Sequence, residues 1–151
     1  MQTRVLMVCL GNICRSPLAE GILKIKSSHL SIQVDSAGTS NYHIGSPPDP
    51  RSVDIAMKYG IDISNQKGRQ FTVNDFDAFD FIYAMDGSNY KNILALARNE
   101  NDKKKVDLIL NLSHPNQNKD VPDPYYGGDK GFENVYKMLD QACDRLIDKL
   151  I

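Results

Sequence analysis

Cys9 and Arg15 enclose five residues, Leu-Gly-Asn-Ile-Cys, and Ser16 follows at once. A thiol and a guanidinium so spaced can act together on one tetrahedral dianion. The sulfur attacks the central atom while the planar fork of donors holds two oxygens. Such chemistry needs backbone amides turned toward the anion and surroundings that favour the thiolate. A helix N-terminus supplies both, through its unpaired N–H groups and the positive end of its dipole. Gly11 is expected to give the backbone freedom that an amide nest requires. Leu10, Gly11, Asn12, Ile13, Cys14, Arg15 and Ser16 are therefore read as an anion-binding loop behind the nucleophile Cys9.

The elements that must position this loop are legible on either side of it. Val5-Leu6-Met7-Val8 is continuous, apolar and partly β-branched, the pattern of a strand covered on both faces of a parallel sheet. Ser16-Pro17 reads as an N-cap followed by proline at the first helical position, where no amide donor is needed. Neither GxxxxGK[ST] nor GxGxxG follows the strand, so the marks of nucleotide binding are missing. No second cluster of cysteine or histidine accompanies Cys9 and Cys14, and no metal site is expected.

Strands are expected near residues 4–9, 32–36, 80–84 and 106–110. Helix faces are marked by Leu18, Ile22 and Ile25, by Val53, Ala56 and Met57, and by Tyr90, Ile93, Leu94 and Ala97. The clearest helix carries Phe132, Val135, Tyr136, Leu139, Ala142, Cys143, Leu146, Ile147 and Leu150 at three- and four-residue steps, which places Cys143 in a core. The alternation predicts an α/β fold: a single-domain open, mainly four-stranded parallel sheet flanked by helices on both faces, spanning 1–151. Ligands of such sheets bind beyond the carboxyl ends of the strands, and Cys9 lies at one. Residues 38–50 and 111–131 form long loops expected to border the pocket.

The chain of 151 residues carries a net charge of −1, with one basic cluster at Lys103-Lys104-Lys105 read as a solvated loop. No basic stripe interleaved with aromatics supports a nucleic-acid partner. No apolar run reaches the ~20 residues of a membrane span, and no signal region opens the chain. Three cysteines without an export signal point to reduced thiols and a cytoplasmic protein.

The stretch VCLGNICRSPLAEG resembles the low-molecular-weight protein tyrosine phosphatase family. Asp35-Ser36-Ala37-Gly38, GSPPDPRS at 45–52, Ala84-Met85-Asp86 and DPYYG at 123–127 extend the likeness along nearly the whole chain. The resemblance implies a single-domain cytosolic enzyme, without metal, that hydrolyses phosphotyrosine through a cysteinyl-phosphate; phosphotyrosine proteins and aryl phosphates are the expected substrates, with no cofactor, and a monomer is expected. Phosphate and vanadate would compete as oxyanions.

Expelling an aryl oxygen requires an acid, and Asp120 and Asp123 both lie in Lys119-Asp120-Val121-Pro122-Asp123-Pro124. The resemblance selects Asp123. It also implies Tyr42, Tyr125 and Tyr126 as pocket walls, and Asn12 as a loop brace with Ser36 as its partner. Gln66 stands where many relatives carry histidine in that network. Ser16 is expected to serve the sulfur as well as cap the helix, Asp86 to cap a helix and support the loop, and Cys14 to trap an oxidised Cys9 as a disulfide. Rival readings are a thiol-dependent arsenate reductase of the same fold and a noncatalytic phosphotyrosine-binding module. The first lacks further cysteines between residues 15 and 142, and the second has no need of the acid.

Overall fold

A computed structural model describes residues 2–124 and 128–151. Its centre is β1 (Thr3–Cys9), whose side chains alternate between two separate cores. Val5, Met7 and Cys9 enter one, Leu6 and Val8 the other. That is the period of two expected of a strand, with apolar residues at every step because both faces are covered.

The first core is closed by α1 (Arg15–Lys26), α2 (Pro50–Lys58) and α6 (Gly128–Leu150), which contribute among others Leu18, Ile22, Ile55, Leu139 and Leu146. The second is closed by α3 (Asp75–Ala78) and α4 (Gly87–Leu94), through Phe76 and Ile93, while α5 (Glu100–Lys104) packs on the edge strand. The expected sheet flanked on both faces is therefore present. β2 (Ile32–Gly38), β3 (Phe81–Ala84) and β4 (Val106–Leu108) complete it in the order β2-β1-β3-β4, with every pairing parallel.

This order positions the site. The chain leaves β1 through α1 to reach β2 on one side, then returns to place β3 on the other. The carboxyl end of β1 thus faces a crevice where connections diverge, the usual ligand position in open parallel sheets. Val8 pairs with Ala84 and Cys9 with Gly38, so the ends of β1, β2 and β3 meet around the sulfur.

Several local expectations are corrected. Helix α1 begins at Arg15, not after Ser16, and its N-cap Cys14 makes no side-chain capping bond. Ile109 and Leu110 leave the sheet as a 3-10 turn, Ile109–Asn111. Lys103 and Lys104 belong to α5, which forms because the Asn99 side chain accepts from the Asp102 amide at 2.9 Å. Helix α6 starts four residues before its apolar stripe. Met57 is exposed and Ile55 takes its place in the core, while Ile25 borders a surface cleft with Ile61 and Ile63. The stripe of α6 is buried from Phe132 to Leu146, Cys143 included.

Candidate active site

The loop after β1 turns tightly enough that its own side chains must hold it. Asn12 has φ of 57°, a left-handed conformation unusual for a residue with Cβ. Its carboxamide is satisfied in three directions: Nδ2 donates to Ser16 Oγ at 2.8 Å and to Ser36 Oγ at 2.9 Å, and Oδ1 accepts from the Arg69 amide at 3.0 Å. The backbone amide of Asn12 in turn points at Cys9 Sγ, 3.3 Å away. Asn12, not Gly11, therefore carries the left-handed residue of the loop. A Cβ on Gly11 would stand 3.0 Å from the ring of exposed His43, a tight contact that the side chain can relieve by shifting. Gly38 is the glycine that close approach requires: its Cβ would meet the Leu10 carbonyl oxygen at 2.8 Å.

Ser16 turns inward, which explains why it does not cap α1. Its Oγ lies 3.0 Å from Cys9 Sγ, where the hydroxyl can donate a hydrogen bond to the sulfur; the Ala37 carbonyl at 3.4 Å is the longer alternative acceptor. From Asn12 the hydrogen bonds continue outward. Ser36 Oγ donates to Glu20 Oε1 at 2.5 Å, and Glu20 Oε2 accepts from Lys24 at 2.6 Å. Gln66 stands outside this chain, donating to the Pro17 carbonyl at 3.0 Å. The start of α2 braces the loop from the other side: the Asp49 amide bonds the Ile13 carbonyl at 2.7 Å, and Ser52 Oγ bonds that of Cys14 at 3.2 Å.

Arg15 is almost wholly buried beneath the crevice. Nη1 donates to Asp86 Oδ2 at 2.7 Å and to the Val121 carbonyl at 2.9 Å, and Nη2 lies 4.0 Å from Asp123 Oδ2. Burial works against the guanidinium charge, but Cys9, Asp86 and Asp123 outweigh it and hold the pKa above its ordinary value. Asp86 caps a helix as expected, its Oδ1 accepting from the Asn89 amide of α4 at 2.8 Å while Oδ2 accepts from Arg15. Asp123 itself is exposed, at the mouth of the crevice.

The resulting cavity, about 330 Å³, is lined by Cys9, Leu10, Gly11, Ile13, Cys14, Arg15, Tyr42, His43 and Asp123. Both long loops border it, through Tyr42 and Asp123. Tyr42 is 77% exposed, a ring standing at the rim. Tyr125 and Tyr126 lie outside the described residues. The two loop cysteines have different surroundings. Cys14 is pushed up to about 12, chiefly by burial and then by the negative charges of Asp49 and Cys9. Cys9 instead has an amide and a hydroxyl within hydrogen-bonding reach of its sulfur.

His43, Asp49, Asp120 and Glu20 were not selected from the sequence. For Asp49, Asp-Pro ahead of an apolar helix face was an available capping signal. Nothing local marks Glu20, a carboxylate on a helix whose function depends on a partner 16 residues away.

A parallel sheet that sets a cysteine, a strained loop and a buried arginine around one cavity defines a class: α/β proteins that bind oxyanions beside a thiol. The family model described as "Low molecular weight phosphotyrosine protein phosphatase" matches residues 4–151. The human protein of that name is 41% identical over 96% of this chain and 94% of its own length. A crystal structure of the protein tyrosine phosphatase from Entamoeba histolytica with Hepes in the active site superposes with a TM-score of 0.91 at 40% identity, covering 99% of this chain and 97% of that one. Vibrio vulnificus Wzb in complex with benzylphosphonate gives a TM-score of 0.88 at 28% identity, with 99% of each chain covered. The chain belongs to the low molecular weight phosphotyrosine protein phosphatase family and is accordingly a phosphoric monoester hydrolase.

Proposed function

We propose that residues 1–151 act as one phosphatase domain that hydrolyses phosphotyrosine and aryl phosphates through a phosphorylated Cys9. The observation that carries this reading is the convergence of Cys9, Arg15 and Asp123 on one cavity. Cys9 Sγ attacks phosphorus as the bond to the aryl oxygen breaks, and Asp123 in its acid form gives that oxygen its proton. Water then attacks the phosphocysteine. Asp123 takes a proton from the water, the S–P bond breaks, and inorganic phosphate leaves with the thiolate restored. No cofactor takes part.

Arg15 and the amides of residues 10–16 hold the phosphoryl oxygens, where a bidentate guanidinium fits the equatorial charge of the transition state. Ser16 donates to the sulfur, most usefully when it departs as a thiolate. Asn12 and Ser36 keep the loop in its strained form, and Asp86 orients Arg15. Tyr42, Tyr125 and Tyr126 are the proposed walls for the substrate ring. The benzylphosphonate bound by Vibrio vulnificus Wzb supports an aryl group beside the anion. Phosphate and vanadate are expected to compete for the same loop. Cys14 is assigned a protective role: once Cys9 is oxidised to a neutral sulfenic acid, the Cys9 charge that helps keep Cys14 protonated is gone, and the Cys14 sulfur attacks the Cys9 sulfur to form a disulfide with loss of water.

The arsenate-reductase alternative needs a relay of thiols, and Cys143 is fully buried in α6. We further infer a cytoplasmic monomer with no nucleic-acid or membrane partner. Among the described residues no helix is long and apolar enough to cross a membrane. Rapid-quench mass spectrometry during turnover of an aryl phosphate tests the mechanism: phosphate is expected on Cys9, and hydrolysis without it would overturn the assignment.

A further inference from the structure

The segment that presents Asp123 is tied down at points that converge on the start of α4. The Val121 amide donates to the Met85 carbonyl at 2.7 Å, and the Val121 carbonyl accepts from Arg15 at 2.9 Å. One residue earlier, Asp120 Oδ1 accepts from the Gly87 amide at 2.8 Å. Gly87 is the first residue of α4, whose N-cap is Asp86. Two carboxylates from distant segments therefore share one helix N-terminus: Asp86 holds the arginine, and Asp120 holds the loop.

The chain between Asp120 and Asp123 is stiff. Pro122 has a fixed φ, Val121 precedes it, and Asp123 precedes Pro124, so each intervening residue is restricted by a proline. An anchor at Asp120 is thus transmitted to the Asp123 carboxyl instead of being absorbed by free torsions. Asp120 is exposed and does not line the cavity, so its bond to Gly87 has no direct access to the anion.

We propose that Asp120 is a positioning residue for proton transfer: it docks the Asp123 segment on α4 and so sets where the acid meets the leaving oxygen. The inference rests on the assignment of Asp123 as that acid. A positioning role of this kind acts on bond cleavage in proportion to how much the leaving group needs a proton. It leaves oxyanion affinity alone, because Arg15 keeps Asp86 and Val121, the latter pinned by its own bond to the Met85 carbonyl.

The test measures kcat/KM with phenyl phosphate, a poor leaving group, and 2,4-dinitrophenyl phosphate, a good one, for D120A and D120N, with D120A also built into a D123A background. D120A is expected to lose about tenfold on phenyl phosphate, less than the ~10²-fold that a 1 Å misplacement can cost, and at most about twofold on the dinitrophenyl ester. D120N, whose amide oxygen still accepts from Gly87, recovers most of the loss. Inhibition by vanadate stays within about twofold of the parent. In the D123A background D120A costs nothing further, since residues acting through one group are not additive. An equal loss on both esters, or the same loss with Asp123 absent, overturns the role of Asp120 while a leaving-group-selective D123A leaves the acid assignment standing. A D123A variant that loses equally on both esters removes the acid assignment, and the inference with it.

Discussion

Asp86 joins Arg15 to the N-terminus of α4: one carboxylate oxygen accepts from the guanidinium at 2.7 Å and the other from the Asn89 amide at 2.8 Å. Arg15, which lines the cavity, is thereby fixed to the sheet's opposite side, across the crevice from its own helix. The Asp86 carboxylate, held by the first turn of α4, in turn orients the fork of Arg15.

Asp86→Ala is expected to cost about 2 kcal/mol of transition-state stabilisation, on the order of 30-fold in kcat/KM, the worth of a charge-assisted hydrogen bond. The vanadate inhibition constant should rise in parallel, because the same guanidinium holds both anions. Steady-state kinetics with and without vanadate check this. An unchanged inhibition constant would show that Arg15 is held well enough by Val121.

Asn12 offers a separation of strain from bonding. Asn12→Gly relaxes the left-handed φ but removes the side-chain bonds to Ser16, Ser36 and Arg69; Asn12→Ala removes the bonds and keeps the strain. The alanine variant should be less stable than the glycine variant by about 1 kcal/mol, the cost of a left-handed residue with Cβ. Both should lose kcat, since the loop no longer holds its amides toward the anion. Thermal melts and single-turnover rates give the two readouts. Equal melting temperatures would mean that the loop relaxes on losing its brace.

The parts of this molecule that rest on local pattern were legible in the sequence, and those that rest on partners far along the chain were not. Val5 to Val8 could only be a covered strand, and the stripe from Phe132 to Leu146 could only be a core helix; both lie where expected. Ser16 shows the limit. As a cap its signal was sound, but the hydroxyl is drawn inward by Cys9 and Asn12, a tertiary demand that overrides the local preference. Lys103 and Lys104 looked like a loop because charge dominates them, and the cap that makes them helical is one asparagine. Cys9, Arg15, Asn12 and Asp86, which hydrogen bonds join around one loop, were picked out through a dense motif and a resemblance. Asp120 was weighed only as an acid and Glu20 was passed over, because the contact each makes is with an element more than a dozen residues away.

The unlike surroundings of Cys9 and Cys14 predict selective alkylation. Iodoacetate is an anion and is drawn to the loop, where an amide and a hydroxyl face the Cys9 sulfur. Cys14 has its pKa raised to about 12 and remains a thiol at neutral pH, and thiols are poor nucleophiles. Peptide mapping after treatment at pH 7 should find carboxymethyl groups on Cys9 alone, and phosphate should slow their appearance. Modification of Cys14 at a comparable rate would contradict the burial that keeps it neutral.

Alkaline stability follows from the same physics. Burial raises Cys14 and Cys143 from 9.0 to about 12, for Cys143 through its place in the core of α6, and burial raises Tyr83 as well. A raised folded pKa means that the folded state binds its proton more tightly than the unfolded state does. The corresponding stability is fully present below the unfolded pKa near 9 and is lost as pH climbs toward the folded value near 12. Denaturant melts should therefore show stability level from pH 7 to about 8.5 and falling steadily above about pH 9. Cys143→Ala should flatten that fall, because the variant has no thiol to ionise on unfolding. Its stability at pH 7 would drop slightly, through the small void left by the sulfur. A slope above pH 9 that is the same in both proteins would assign the alkaline loss to groups other than this buried thiol.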